Sequence, residues 1–180
     1  MSRRFGGTGA TAGRLNGVLR SGEAPDGSSL RDAALAGAGD VNIVLDAIVD
    51  AASPANGTQD GESSRRAVRD ALTDLLDRYP DADLLALTDV QREFVIERYA
   101  ALDVYGRFCL DVQKTIMAKA PDPATGLRRL RQVREFISQE ISAAFRSIRK
   151  RSGPTTTANV SRLTARALHQ TLSVFEDYIR

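Results

Sequence analysis

Apolar residues recur along this chain at steps of three and four, the period that lays them on one side of an α-helix. Over residues 40–51 the stripe is Val41, Val44, Leu45, Ile48 and Val49, with Asp40 placed to cap the helix and Ser53-Pro54 to end it. Over 63–79 it is Val68, Ala71, Leu72, Leu75, Leu76 and Tyr79, stopped by Pro80. Asp70, Asp74 and Asp77 fall between them and read as a solvated face. Arg66 with Asp70, and Asp74 with Arg78, have the i,i+4 spacing of surface ion pairs worth a few tenths of a kcal/mol. A longer helix is expected from Asp89 to about Ala120, with Thr88 as its cap and an inner face of Phe94, Val95, Tyr99, Leu102, Tyr105, Phe108, Val112, Ile116 and Met117. Gly106 is the point where it would kink, and Pro121 and Pro123 break it.

The next segment, 127–151, combines two patterns. Leu127, Leu130, Val133, Phe136, Ile137, Ile141, Ala144, Phe145 and Ile148 form its apolar stripe, and arginines fill most of the intervening positions. Gly153-Pro154 closes it, and Arg149, Lys150 and Arg151 lie in its last turn, where cations favour the helix dipole. A last helix is expected beyond Asn159 or Ser161, with Leu163, Ala167, Leu168, Leu172, Phe175 and Ile179 facing inward. No segment alternates as a strand would, and Asn56-Gly57 lies between two helical segments rather than two strands. The expected fold is all-α, a bundle of about five helices over residues 39–180.

Residues 1–38 are different material. They hold eight of the fourteen glycines and little apolar area to offset the entropy of ordering them. They read as a flexible glycine-rich arm, in which 14–19 has the pattern of a short turn and 30–38 a weak helical pattern capped by Ser28 or Ser29. Gly6-Gly7-Thr8-Gly9 superficially resembles a phosphate loop, but it follows no strand pattern and lacks the Gly-Lys-Ser/Thr ending. An arm for a partner to grip fits it better, with plain disorder as the other reading.

Charge changes the picture of the basic segment. The net charge is only +2, yet 39–119 carries fifteen acids against nine bases and 120–180 eleven bases against five acids. From 124 to 151 there are eight bases and two acids. One reading is a solvated face on a core helix, with the two halves of the chain neutralising each other in the fold. The other is a docking face, with Arg146, Arg149, Lys150 and Arg151 left free for a partner. Nucleic-acid binding through Arg128, Arg131, Arg146, Arg149, Lys150 and Arg151 is the second choice for function, behind protein interaction.

Chemistry is sparse. His169 is the sole histidine and Cys109 the sole cysteine, so no disulfide forms within one chain and no Cys-based zinc site is available. His169 reads as a surface or interhelical residue, and Cys109, between Phe108 and Leu110, as a buried inert thiol. No catalytic, metal or cofactor constellation emerges, and an enzyme is not expected. No apolar run reaches membrane-spanning length, and no apolar stretch follows Arg3-Arg4, so neither a membrane nor an export signal is expected and the cytoplasm is the expected location.

Three stretches carry a family resemblance. Pro54-Ala55-Asn56-Gly57-Thr58-Gln59-Asp60 leads into Arg66-Ala67-Val68-Arg69-Asp70-Ala71-Leu72, and Leu87-Thr88-Asp89-Val90-Gln91 opens the long helix bearing Tyr99 and Tyr105. Over residues 40–150 this organisation resembles the helical region of the QatB family, the small component of the Qat anti-phage defence operons of bacteria. The resemblance implies a non-enzymatic subunit that accompanies an ATPase, an enzyme similar to a queuosine-precursor synthase, and a metal-dependent nuclease. It also implies that the glycine-rich arm, here Gly6, Gly7, Thr8 and Gly9, engages the synthase-like partner and is modified by it. Family members tend to begin Met-Gly. This chain begins Met-Ser-Arg-Arg-Phe, so exposing Gly6 as a terminus would require cleavage after Phe5.

Overall fold

The computed structural model describes residues 6–152 together with Val160, Arg162 and Thr164. Among these residues the fold is all-α: α1 (Gly6–Ser21), α2 (Leu30–Ala36), α3 (Val41–Ala52), α4 (Gln59–Arg78), α5 (Asp89–Lys119) and α6 (Pro123–Ser152). The other backbone pairing is a single bridge between Glu23 and Ser29 in the α1–α2 loop.

The central element is α5. It starts on a capping box: Thr88 accepts from the Gln91 backbone, and the Gln91 side chain accepts from the Thr88 backbone. Helices α1, α4 and α6 all pack on it. Being enclosed from several sides, α5 buries two adjacent rows rather than one stripe. One row is Val95, Tyr99, Asp103 and Arg107; the other is Ile96, Ala100, Val104 and Phe108. The helix runs on through Gly106. That glycine serves the approach of α4 instead, since a Cβ there would lie 2.4 Å from the Ser63 hydroxyl oxygen.

The glycine-rich stretch departs most from expectation. It is not a flexible arm throughout: Gly6–Ser21 is helix α1, packed on α3, α4 and α5. Gly6, Gly7, Gly9, Gly13 and Gly17 each cost a helix about 1 kcal/mol relative to alanine. Burial of Ala12, Leu15, Val18 and Leu19 offsets that cost. The helix stops at Gly22, whose φ of +72° is the left-handed cap conformation and whose N–H returns to the Val18 carbonyl at 2.9 Å.

Other boundaries follow local chemistry. Helix α3 is capped by Asp40. Helix α4 begins at Gln59, four residues ahead of the expected Ser63. Thr58 caps it by accepting from the Gly61 N–H at 3.0 Å, and Asp60 and Glu62 in the first turn suit the positive end of its dipole. Pro123 takes the first position of α6, where its missing N–H costs nothing. Ahead of it, Asp122 accepts from the backbone and hydroxyl of Thr125 at 2.9 and 2.8 Å, bonds that hold its carboxyl below the usual range. Helix α6 buries Leu130, Ile137, Ile141 and Phe145, and its main packing is on α5. The expected last helix, with His169 and the stripe from Leu163 to Ile179, lies outside the described residues, save for helical turns at Val160, Arg162 and Thr164.

Charges pair differently from the spacing rule. Asp74 pairs with Arg98 of α5 and is half-buried, rather than facing water beside Arg78. Arg78 lies over the rings of Tyr79 and Phe94, at 5.7 and 5.3 Å from their centroids. Those two rings meet edge-to-face at 6.0 Å. No ion pair joins Arg66 to Asp70. Within a helix the i,i+4 gain is small, and a guanidinium shared with another helix or an aromatic face displaces it.

Candidate functional site

Two places concentrate polar chemistry. The first is where α1, α4 and α5 meet. Tyr99, Asp103 and Arg107 are spaced four apart and so line one side of α5. Asp103 is fully enclosed, with a side-chain exposure of 0%, and Arg107 is 7% exposed. The Thr8 hydroxyl of α1 donates to Asp103 Oδ2, and Arg107 Nε donates to the same oxygen at 2.9 Å. Arg107 Nη1 also lies 3.4 Å from Asp60 of α4. Among the described residues Asp103 Oδ1 has no hydrogen-bond partner. Gly7 sits against the guanidinium, so close that a Cβ there would be 3.3 Å from Nη2.

One turn away, the Tyr99 hydroxyl shares a hydrogen bond of 2.9 Å with Ser64 of α4. Arg14 ties Thr11 to the end of α3, reaching Thr11 Oγ1 at 2.9 Å and the Ala52 carbonyl at 2.8 Å. Together these bonds clasp the first two turns of α1 to the bundle. The carboxylate at the centre is enclosed by protein and out of reach of a substrate, so the arrangement holds a helix rather than transforming a ligand.

Burial, and then the negative charge of Asp103, push the Tyr99 phenol well above its ordinary range. The Tyr105 phenol is pushed up to about 12 by burial and its bond to Cys109. The Cys109 thiol, half-buried rather than enclosed, is raised by burial too. The folded protein therefore keeps the Tyr99 proton that the unfolded chain surrenders near pH 10. Stability should fall by up to about 1.4 kcal/mol per pH unit once pH passes about 10. Urea unfolding of wild type and Tyr99→Phe between pH 9 and 11 checks this. The alkaline loss should be smaller in the variant, with a residue from Tyr105 and Cys109. Parallel curves for the two proteins would show that Tyr99 is not the group responsible.

The second place is the outer face of α6. Arg128, Arg129, Arg131, Arg134 and Arg146 are all exposed. Arg134 also lies over the Tyr105 ring, 5.8 Å from its centroid. The expected neutralisation of this helix by the acidic half does not occur among the described residues. Three acids of α3 and α4 pair instead with arginines of α4 and α5: Asp46 with Arg69, Asp50 with Arg65 at 2.5 Å, and Asp74 with Arg98. What joins α6 to α5 by polar contact is the Ser142 hydroxyl, which donates to Glu97.

The residues singled out from sequence thus separate. Gly6, Gly7, Thr8 and Gly9 form the first turn of α1, with Gly7 exposed and Thr8 and Gly9 buried. Arg146 is exposed on α6, while Arg149, Lys150 and Arg151 occupy helical positions whose side chains lie outside the described residues. Sequence reading missed Asp103, Arg107, Asp60, Ser64 and Thr11. The available signal was Tyr-x-x-x-Asp-x-x-x-Arg, which puts two charges in register with a core aromatic. Among the described residues no three His, Cys, Asp or Glu side chains form a metal site, and no helix is long and apolar enough to cross a membrane.

Fold and clasp together define an all-α bundle protein with its glycine-rich helix drawn into the core. The chain matches, over residues 1–175, the family described as Qat anti-phage system associated protein QatB, and it belongs to that family. It is accordingly a component of the Qat anti-phage system. Comparison with curated proteins gave no match, and neither did comparison with solved structures.

Proposed function

We propose that this chain is a non-enzymatic interaction subunit of the Qat system, acting in the bacterial cytoplasm and docking proteins of its own operon, the ATPase and the synthase-like enzyme. The observation that carries this reading is an apolar corner between α2 and α3. Leu35, Val41 and Ile43 stand 74%, 44% and 40% exposed on the two sides of one tight turn. Lone exposed apolar side chains are ordinary, but three at one turn make the kind of patch that a protein interface uses as its core.

The start of α1 is the second contact. Gly7 is open to a partner as the helix stands. Thr8 and Gly9 become available only when the first turn unwinds, a step that its glycines make easy. A synthase-like enzyme that grips and modifies this segment would have to release Thr8 from Asp103.

Co-expression with the operon neighbours tests the reading. The tagged wild-type chain should retain the synthase-like or ATPase partner, and Leu35→Asp/Ile43→Asp should retain at least about tenfold less, a loss of about 1.4 kcal/mol. Both side chains are exposed, so the fold should tolerate the change. Intact mass of the co-purified chain should show an addition that maps to the peptide containing Gly6 to Gly9. Equal partner recovery by the double variant and an unmodified peptide would sink the proposal.

A further inference from the structure

We propose that the outward face of α6 docks the phosphate backbone of a nucleic acid without reading its sequence. Three observations lead there.

The first is geometry. At about 100° per residue, Arg128, Arg131 and Arg146 fall within about 60° of one another around the helix. They lie opposite the buried row of Leu130, Ile137 and Ile141. Arg129 and Arg134 flank them. From Arg128 to Arg146 the ridge is about 27 Å long at 1.5 Å per residue. A duplex of that length presents about sixteen phosphate charges. The helix continues through Arg149, Lys150 and Arg151.

The second is the state of the charges. None of Arg128, Arg129, Arg131, Arg134 and Arg146 is in an ion pair among the described residues, and Asp46, Asp50 and Asp74 are paired with arginines of α4 and α5 instead. Glu135 is exposed on the ridge between Arg131 and Arg146, and Glu140 lies to one side. They reduce the charge of the 128–146 segment from five bases to a net of +3 without reversing it. Arg128 donates to the Thr125 hydroxyl at 3.0 Å and Arg134 lies over the Tyr105 ring, so neither contact neutralises its charge. Exposed guanidinium groups without a carboxylate partner are what a polyanion recruits by releasing its counterions.

The third separates nucleic acid from an acidic protein. Protein interfaces are built on apolar or aromatic anchors at their centre. Among the described residues the exposed positions between the arginines, besides Glu135, are Gln132, Gln139, Ala143 and Ser147, and the large exposed apolar side chain of this helix is Leu127, 52% exposed at the near end. A ridge of cations with no apolar core suits a phosphate backbone better than a folded protein surface.

The test is fluorescence anisotropy of the full chain with a labelled 30-base-pair duplex of scrambled sequence, from 50 to 200 mM KCl. Four phosphate contacts would weaken binding by about 10²-fold across that range. Arg128→Glu/Arg131→Glu/Arg146→Glu should bind at least about tenfold more weakly at 50 mM, since each reversal both removes a contact and repels phosphate. Arg128→Lys/Arg131→Lys/Arg146→Lys should stay within about threefold, because backbone docking needs charge more than the guanidinium fork. Polyglutamate at equal charge concentration should compete at least about tenfold less well than unlabelled duplex, since its charge density is lower. Absence of binding at 50 mM salt, affinity indifferent to salt, or unchanged binding by the glutamate variant would overturn the proposal. Displacement by polyglutamate as effective as by unlabelled duplex would overturn it too, and would assign the ridge to an acidic protein.

Discussion

Replacing Arg107 by methionine should destabilise the protein by about 3–5 kcal/mol, because it strands the Asp103 carboxylate in the core. That carboxylate has no exposed surface, and its other observed bond is from the Thr8 hydroxyl. Oδ1 already lacks a partner, so no second donor stands ready. Methionine keeps most of the arginine stem, which limits the cavity and leaves the missing charge as the cause. For a domain of this size the loss corresponds to a drop in Tm of roughly 6–20 °C. Removing the whole set in Thr8→Val/Asp103→Leu/Arg107→Met should cost far less than the single change. Deleting both members of a buried pair spares the desolvation cost that deleting one exposes. Asp60, a further neighbour of Arg107, is 40% exposed and can return to water. Thermal and urea unfolding of wild type, single and triple variants decides it. A single variant within about 1 kcal/mol of wild type would mean that the buried pair contributes little to holding the fold.

Tyr99→Ala should cost about 3–5 kcal/mol, the range for removing a large buried aromatic. Tyr99 heads the fully buried side chains by size and sits where α1, α4 and α5 meet. Truncation opens a cavity among three helices and leaves Ser64 to seek another partner. Tyr99→Phe keeps the ring and should cost only about 1 kcal/mol at neutral pH, the ordinary value of one hydrogen bond. The contrast isolates packing from polarity. Limited proteolysis near Gly6 to Gly9 should accelerate more in the alanine variant than in the phenylalanine one, since α1 depends on packing for its helicity. Equal stability of the two variants would mean that the ring contributes no packing.

Much of the architecture was legible in the residue pattern, and the reason is area. Helices α3, α4, α5 and α6 each carry enough leucine, isoleucine, valine and phenylalanine for a 3.6-residue period to stand out. Proline and capping residues marked their ends: Ser53-Pro54 after α3, Pro80 after α4, Thr88 before α5 and Pro123 at the start of α6. Helix α1 escaped because the buried face of its first half is Thr8, Gly9, Thr11, Ala12 and Gly13, with Leu15, Val18 and Leu19 confined to its second half. Its composition is that of a flexible chain, and only the neighbouring helices make ordering it worthwhile. Of the candidate site, the basic ridge was visible as a charge pattern. The clasp was not, because Thr8 and Asp103 lie ninety-five positions apart and their contact exists only in three dimensions.

The sequence alone determined the class of fold, the ends of most helices, and the presence of a basic helix in a chain of nearly neutral charge. Those properties depend on spacing within one element, which local physics reads directly. Tertiary structure decided the rest. It placed Asp103 and Arg107 in the core beside Thr8, paired Asp46, Asp50 and Asp74 with arginines of α4 and α5, and left the arginines of α6 exposed. Which charge meets which depends on how helices cross, and one helix's periodicity carries no record of its neighbours.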